Sequence, residues 1–351
     1  MPAITPSFMF DLESNMRVIT QNEYQRLTTQ LWWTQIAKQT TTTSKKERLI
    51  WLLDTARIER TGQGGNLEFE DIVSTTAEIT VENAAAGLKL KKEAFEDVDG
   101  NGIDLAAHWS RQIGSYSAYW PQRCVAEAIR ANPITYDGKT FFAKDHPLNP
   151  YSPQAGTFAN VFTGAAAAAN PALNIPAYPG ALPIDDSVTV DVALTNLTRA
   201  IGYATTMKLP NGKDPRFLKF AYLFVPPRML PRAQQLTNAK FIAQAAAGGG
   251  VAVGDVEAIV SNLGVGQPVQ LLELGEAFGG SDTDYYLGME DLTTSELGAF
   301  VYVQREPFSV LFYGPQSDAQ LARIREFQWM TEGRNSVQPG HPYLLFKGSK
   351  T

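Results

Sequence analysis

The chain has 351 residues, 44% hydrophobic and 19% charged, enough to bury a core spread over two or three sub-domains and too apolar for a disordered chain. Its formal net charge of −6, its pI near 5.3 and the lack of any dense Lys/Arg run exclude a protein that grips nucleic acid through a basic face. A single cysteine, Cys124, excludes an internal disulfide framework and a cysteine-built zinc site.

A reducing cytoplasm suits that cysteine count. The first fifteen residues, MPAITPSFMFDLESN, lack the basic-then-apolar order of a signal peptide, and no run reaches the roughly 18 apolar residues of a membrane span. Residues 1–54 read as an extended start followed by helices. Asn22 is a helix cap, Tyr24, Leu27, Leu31 and Trp32 share one stripe, and Thr40 to Thr43 break the pattern. A second short helix is expected over 45–53, on Leu49, Ile50, Leu52 and Leu53, with Trp32, Trp33 and Trp51 as packing residues.

Residues 55–97 change period. Ile79 and Val81 alternate with Glu78, Thr80 and Glu82, and Leu88 and Leu90 with Lys89 and Lys91, as half-exposed strands do, around turns at Gly62, Gly64, Gly65 and Gly87. An isolated two-stranded ribbon is marginal in water, so its apolar side needs a partner, and a neighbouring subunit is the candidate. The segment carries five basic residues against nine acidic ones, which fits an acidic arm seeking a partner or a solvated hairpin equally well. The candidate contact residues are Glu68, Glu70, Asp71, Ile79, Val81, Leu88, Lys89, Leu90 and Lys91. The lysines, interleaved with Leu90 and followed by Glu93, read as a solvated strand face rather than as reactive amines.

Asp97-Val98-Asp99-Gly100-Asn101-Gly102 resembles the opening of an EF-hand calcium loop, but position eight is Asp104 and position twelve, which should be the bidentate Glu, is His108. A turn before a helix is the better reading. That helix spans about 103–132 on Ile103, Ala106, Ala107, Ser110, Ile113, Gly114, Ser117 and Trp120, with a kink or restart expected at Pro121. Cys124 lies on it with no placed histidine, so it reads as a core residue and not a nucleophile.

The run 136–147, YDGKTFFAKDHP, follows. Asp137-Gly138 is a turn pair, Phe141-Phe142 are strand formers, and Pro147 ends the segment. Asp145 and His146 could suggest a catalytic pair, but adjacent residues on an extended segment point apart, and the chain has 3 His and no nucleophile elbow near any of them. Residues 148–186, rich in Pro, Gly, Ala and Asn, read as a long surface loop or lobe. Beyond it come a helix on Val192, Leu194, Leu197, Ala200, Ile201 and Ala204, a turn at Asn211-Gly212, a buried strand Phe220 to Val225 closed by Pro226-Pro227, and a helix on Met229, Leu230, Ala233 and Leu236. Gly264-x-Gly266 lacks the third glycine of a nucleotide loop, and strands are expected at 285–287, 300–303, 309–313 and 327–330.

The Tyr-Asp-Gly turn, the Phe141-Phe142 pair, the Asp145-His146-Pro147 corner and the Val225-Pro226-Pro227 strand end resemble the Mu-like major head proteins of tailed phages. The resemblance implies an α+β fold of the Hong Kong phage type. In it, 1–54 would form an N-terminal arm, 55–97 an extended hairpin, 98–135 with 300–351 a peripheral domain on a spine helix, and 136–299 an axial domain. It further implies a major capsid protein that is not an enzyme and needs no cofactor or metal. Copies would form hexamers and pentamers of an icosahedral shell in the host cytoplasm and end in the virion. Scaffold, portal and decoration proteins are its implied partners, with DNA enclosed and not read, and no membrane. The alternatives are an encapsulin-like compartment shell of the same fold, and a calcium-binding or hydrolytic protein using Asp97, Asp99 and Asn101 or Asp145 and His146.

Overall fold

A computed structural model describes residues 6–53, 73–91, 101–152, 155–173, 175–238, 241–245, 251–255, 268–292, 298–313 and 326–350. The chain opens with a helix, α1 (Pro6–Thr28), where the sequence suggested an extended start. Its buried stripe is Leu12, Met16 and Thr20, spaced by four, while Tyr24 and Leu27 are only half-buried. One turn, α2 (Trp33–Ile36), leads to β1 (Ala37–Thr41), so the threonine run continues a strand rather than breaking a helix.

The helix expected at 45–53 is instead β2 (Lys46–Leu53), paired antiparallel with β3 (Val73–Thr80) in continuous register from Lys46 opposite Thr80 to Leu53 opposite Val73. A run such as Leu49-Ile50-Trp51-Leu52-Leu53 fits helix or strand by composition, and the pairing partner decides. After Val81 the chain enters β4 (Glu82–Lys91), which is not the second half of the ribbon. It pairs over its whole length with β14, and Gly87 lies within the strand opposite Met330, not in a turn.

The spine is α3 (Asn101–Ala131), 31 residues with Pro121 inside and no break in helical assignment, so the expected restart does not occur. The interruption is tolerated because packing holds the helix on both sides of the proline: Ser117, Ala118, Gln122, Val125 and Ala126 are all buried. Residues 148–186 are a surface lobe only in part: 164–172 are exposed, whereas the flanking stretches enter the core. Together with β5 (His146–Pro147), they form short strands β6 (Thr157–Phe158) and β7 (Val161–Phe162), and Phe158, Val161, Phe162, Leu182 and Ile184 belong to the main core.

Next come α4 (Val190–Thr205), capped by the Thr189 hydroxyl accepting from the Val192 N–H, β8 (Leu218–Val225) and α5 (Leu230–Asn238). The last elements are β9 (Phe241–Ala245), β10 (Val251–Asp255), β11 (Val269–Gln270), β12 (Tyr285–Asp291), β13 (Phe300–Tyr313), β14 (Glu326–Pro339) and β15 (Leu345–Gly348). The two strands expected at 300–303 and 309–313 are one long strand with register shifts between Gln304 and Ser309.

Two sheets organise the whole. A four-stranded sheet, β1-β13-β14-β4, carries α1 and α3 and encloses Leu12, Met16, Ala106, Ile113, Val310, Phe327 and Trp329. A five-stranded sheet, β11-β8-β12-β15-β7, forms the larger core with α4 and α5. The four-stranded sheet therefore draws on 37–41 and 82–91 as well as on 300–313 and 326–339, and β15 belongs to the other sheet. Two of the chain's crossings between the sheets, before β13 and after β14, meet each other, the Gly340 N–H donating to Ala299 O (2.8 Å) and the His341 N–H to Gly298 O (3.1 Å). A Cβ on Gly340 would stand 2.3 Å from Gly298 O, so the two backbones cross where only glycine fits.

Candidate assembly surfaces and the signature turn

The run 136–147 is a structural rivet. Its turn depends on Gly138 at φ +79°, and the Asp137 carboxylate accepts from the Lys139 N–H (3.0 Å) and from the Thr135 hydroxyl. Phe141 is fully buried, stacked on Phe300 at the start of β13 with centroids 4.4 Å apart; Phe142 packs on Tyr286 of β12 at 5.8 Å. The pair therefore pins the turn to both sheets at once.

Asp145 does not orient His146. It pairs with Lys139 at the surface, whereas the buried His146 ring directs Nδ1 to Asp137 Oδ2 (2.6 Å) and Nε2 to the Phe141 carbonyl (3.0 Å). Burial pushes the Asp137 carboxyl up, but the His146 hydrogen bond and charge, with the Thr135 hydroxyl and Lys139 N–H, pull it further down, and the net result lies below the usual carboxylate range. Both polar ends of the imidazole are thus occupied in holding the turn. Two asparagines complete the backbone accounting. Asn132, at φ +47°, accepts from the Phe142 N–H, and Asn160 accepts from Ala143 and donates to the carbonyls of Phe141 and Pro342.

A second polar knot ties the spine to the larger core. Buried Glu273 accepts from the Trp32 indole (3.2 Å) and from Gln122, whose own carbonyl accepts from the Trp32 N–H (3.1 Å). Burial, then the adjoining Glu273, pushes the Tyr119 phenol well above its ordinary value. Nothing in the sequence singled out Asn132, Asn160 or Glu273, because each acts through partners distant in the chain. Cys124, expected in the core, is only half-buried and belongs to no core cluster among the described residues; burial still pushes its thiol up to about 12.

Of the expected contact residues, Ile79 and Val81 are buried within the chain against Val301 and Val303, and they are corrected from a subunit contact to core. Leu88 and Leu90 likewise pack on the core beneath the four-stranded sheet. The alternation that marked them as half-buried was sound, but their cover is α1, α3 and β14 of the same chain. Lys89 and Lys91 face out, Lys89 paired with Glu326 (2.7 Å). Glu68, Glu70 and Asp71 lie outside the described residues, as do Asp97 and Asp99. Among the described residues no group of three His, Cys, Asp or Glu could hold a metal, and no helix is long and apolar enough to cross a membrane.

The β2–β3 arm lies outside the two larger sheets, its strands pairing with each other in a two-stranded sheet of their own. On β3, Ala77 and Ile79 pack against Val301 and Val303 of the four-stranded sheet.

Residues 11–172, just under half of the chain, match the family model for the Mu-like prophage major head subunit gpT, the family that the turn and paired phenylalanines resemble. No curated protein matches. Among solved structures, the capsid of the cyanophage P-SCSP1u aligns with a TM-score of 0.51 at 14% identity, over 89% of this chain and 86% of that one. The mature capsid of bacteriophage PhiM1 aligns at 0.48 and 13% over 91% and 86%, and the capsid of bacteriophage JBD30 at 0.45 and 11% over 90% of this chain. This chain spans 63% of that JBD30 chain. The cyanophage alignment carries the fold assignment, a tailed-phage capsid fold of mixed helix and sheet.

Proposed function

We propose that this chain, whose residues 11–172 match the Mu-like major head subunit family, builds the shell of a phage head by self-assembly and performs no catalysis. The observation that carries the reading is the β2–β3 arm. Eight residue pairs hold its strands to each other, and an isolated ribbon of that kind is marginal in water. A neighbouring copy supplies the missing cover, so each subunit lays its arm across the next, and many weak contacts add within hexamers and pentamers of a closed shell. Glu68, Glu70 and Asp71, which lie between β2 and β3 in the sequence, and the outward Lys89 and Lys91 are the residues of this chain for those contacts.

DNA is enclosed rather than read, in keeping with a net charge of −6. Scaffold, portal and decoration proteins complete the head, which assembles in the host cytoplasm and ends in the virion.

The test is to shorten the arm without touching the core. Replacing Leu49–Ala77, which face each other across the ladder, by a Gly-Ser turn leaves Ile79, Val81 and β4 in place. The shortened chain is expected to keep its melting temperature as a monomer and to form no particles on co-expression with its scaffold. Normal particles from the shortened chain would refute the role of the arm.

A further inference from the structure

The two crossings between the sheets are clasped by a column of side chains that neither the signature turn nor the arm explains. Arg216, just before β8, forms a buried ion pair with Asp291 at the end of β12 (2.7 Å) and lays its guanidinium over the Tyr343 ring, 3.9 Å from the centroid. Tyr343 stacks on His341 (4.9 Å, 27°), and His341 meets Tyr136 of the signature turn edge-on (6.1 Å, 82°). His341 is itself the residue that closes the crossing, through its N–H to Gly298 O. The column therefore joins β8, β12, the β14–β15 connection and the turn at 136 through one imidazole. That ring is buried, and its Nδ1 has no hydrogen-bond partner among the described residues.

We propose that this crossing is an acid-responsive joint, in which protonation of His341 breaks the Arg216–Tyr343–His341–Tyr136 column and loosens the link between the two sheets. The charged and titratable groups facing the ring are Arg216, Asp291, Tyr343 and Tyr136, with Lys208 on the wall of a small adjoining cavity of about 20 Å³. Arg216 repels a proton on His341, and Asp291 offsets that repulsion only in part. Burial first, then Arg216, hold the imidazole down to about 3, against 6.5 for a ring released to water. A group depressed in the closed state takes its proton only on opening, so the closed joint is fully favoured above pH 6.5 and progressively less so toward pH 3. At pH 5 the opening equilibrium rises about 30-fold over its value at pH 7.5.

Amide hydrogen exchange on the full chain, corrected for intrinsic rates and followed by mass spectrometry at pH 7.5 and 5.0, tests this. Peptides carrying the Gly340, His341 and Leu344 amides should exchange about 30-fold faster at the lower pH. Peptides from Leu223–Val225 and Tyr285–Leu287, in the middle of the larger sheet, should not. His341→Phe, which keeps a ring in the stack and removes the proton site, should abolish the difference. Independently of any variant, exchange at the imidazole C2 position of His341 in the wild-type chain should stay flat from pH 7.5 to 5. Equal protection at both pH values, acceleration that survives in His341→Phe, or a His341 ring whose C2 exchange changes between pH 7.5 and 5 would overturn the proposal.

Discussion

Two helical glycines should respond to the same substitution with opposite sign. Gly114 lies on the face of α3 that meets α1: a Cβ there would stand 2.6 Å from Thr20 O and 2.8 Å from the Glu23 Cβ. The first of these atoms is backbone and cannot swing aside, and Thr20 is further tied to α3 by its hydroxyl donating to Ser110 O (3.1 Å). Gly202 in α4 is exposed, with nothing within 4 Å of its Cβ position. Ala is better than Gly in a helix interior by about 1 kcal/mol, and that gain applies at both sites. At Gly114 it is set against forcing two packed helices apart, which costs about 1–3 kcal/mol. Gly202→Ala should therefore stabilise the unassembled chain by up to about 1 kcal/mol, and Gly114→Ala should destabilise it by up to about 2 kcal/mol. Urea unfolding of the two variants beside the wild type reads both values from the midpoints at constant slope. Stabilisation by Gly114→Ala equal to that of Gly202→Ala would mean that α1 does not pack on α3 as described.

Phe141→Ala should cost about 3–5 kcal/mol by urea unfolding, because the ring is fully buried on Phe300; a loss under 1 kcal/mol would remove the turn from the core. Asp137→Asn should cost about 3 kcal/mol at pH 7 by breaking a buried pair. Because the folded carboxyl lies below its ordinary value, that contribution is complete above the unfolded pKa and fades as the pH falls through the folded one. The gap between variant and wild type should thus narrow below pH 4 in a urea series at pH 7, 5 and 3, and a constant gap would assign the loss to packing alone. Assembled particles boiled on a denaturing gel should run as one band near 38.5 kDa, since Lys89 is engaged by Glu326 on a solvated strand face; a covalent ladder lost in Lys89→Arg would show the lysines to be reactive.

Much of this architecture is legible in the residues. The spine helix shows in the spacing of Ala106, Ser110, Ile113 and Ser117, α4 in its stripe from Leu194 to Ala204, and β8 in an apolar run stopped by Pro226-Pro227. The signature turn could be located, and the catalytic pairing of Asp145 with His146 rejected, from local geometry alone. What escaped depends on contacts distant in sequence. Residues 46–53 become a strand because β3 lies opposite, and Ile79 and Val81 are covered by Val301 and Val303, more than two hundred residues away. The 148–186 segment misled by composition: small residues and prolines let Phe158, Val161 and Phe162 enter the core between turns, which no periodicity reveals. Asp137 was visible as a turn former but not as the partner of His146, and His341 and Glu273 gave no signal, since a buried polar side chain looks like any other until its partners converge.

The central claim is that the chain covers its own arm with another copy of itself, and electron microscopy of the purified full-length chain co-expressed with its scaffold, alongside light scattering across salt and concentration, tests it most directly. The account predicts rings, tubes or closed shells far above 38.5 kDa. A discrete monomer under every condition, with empty grids, would contradict it.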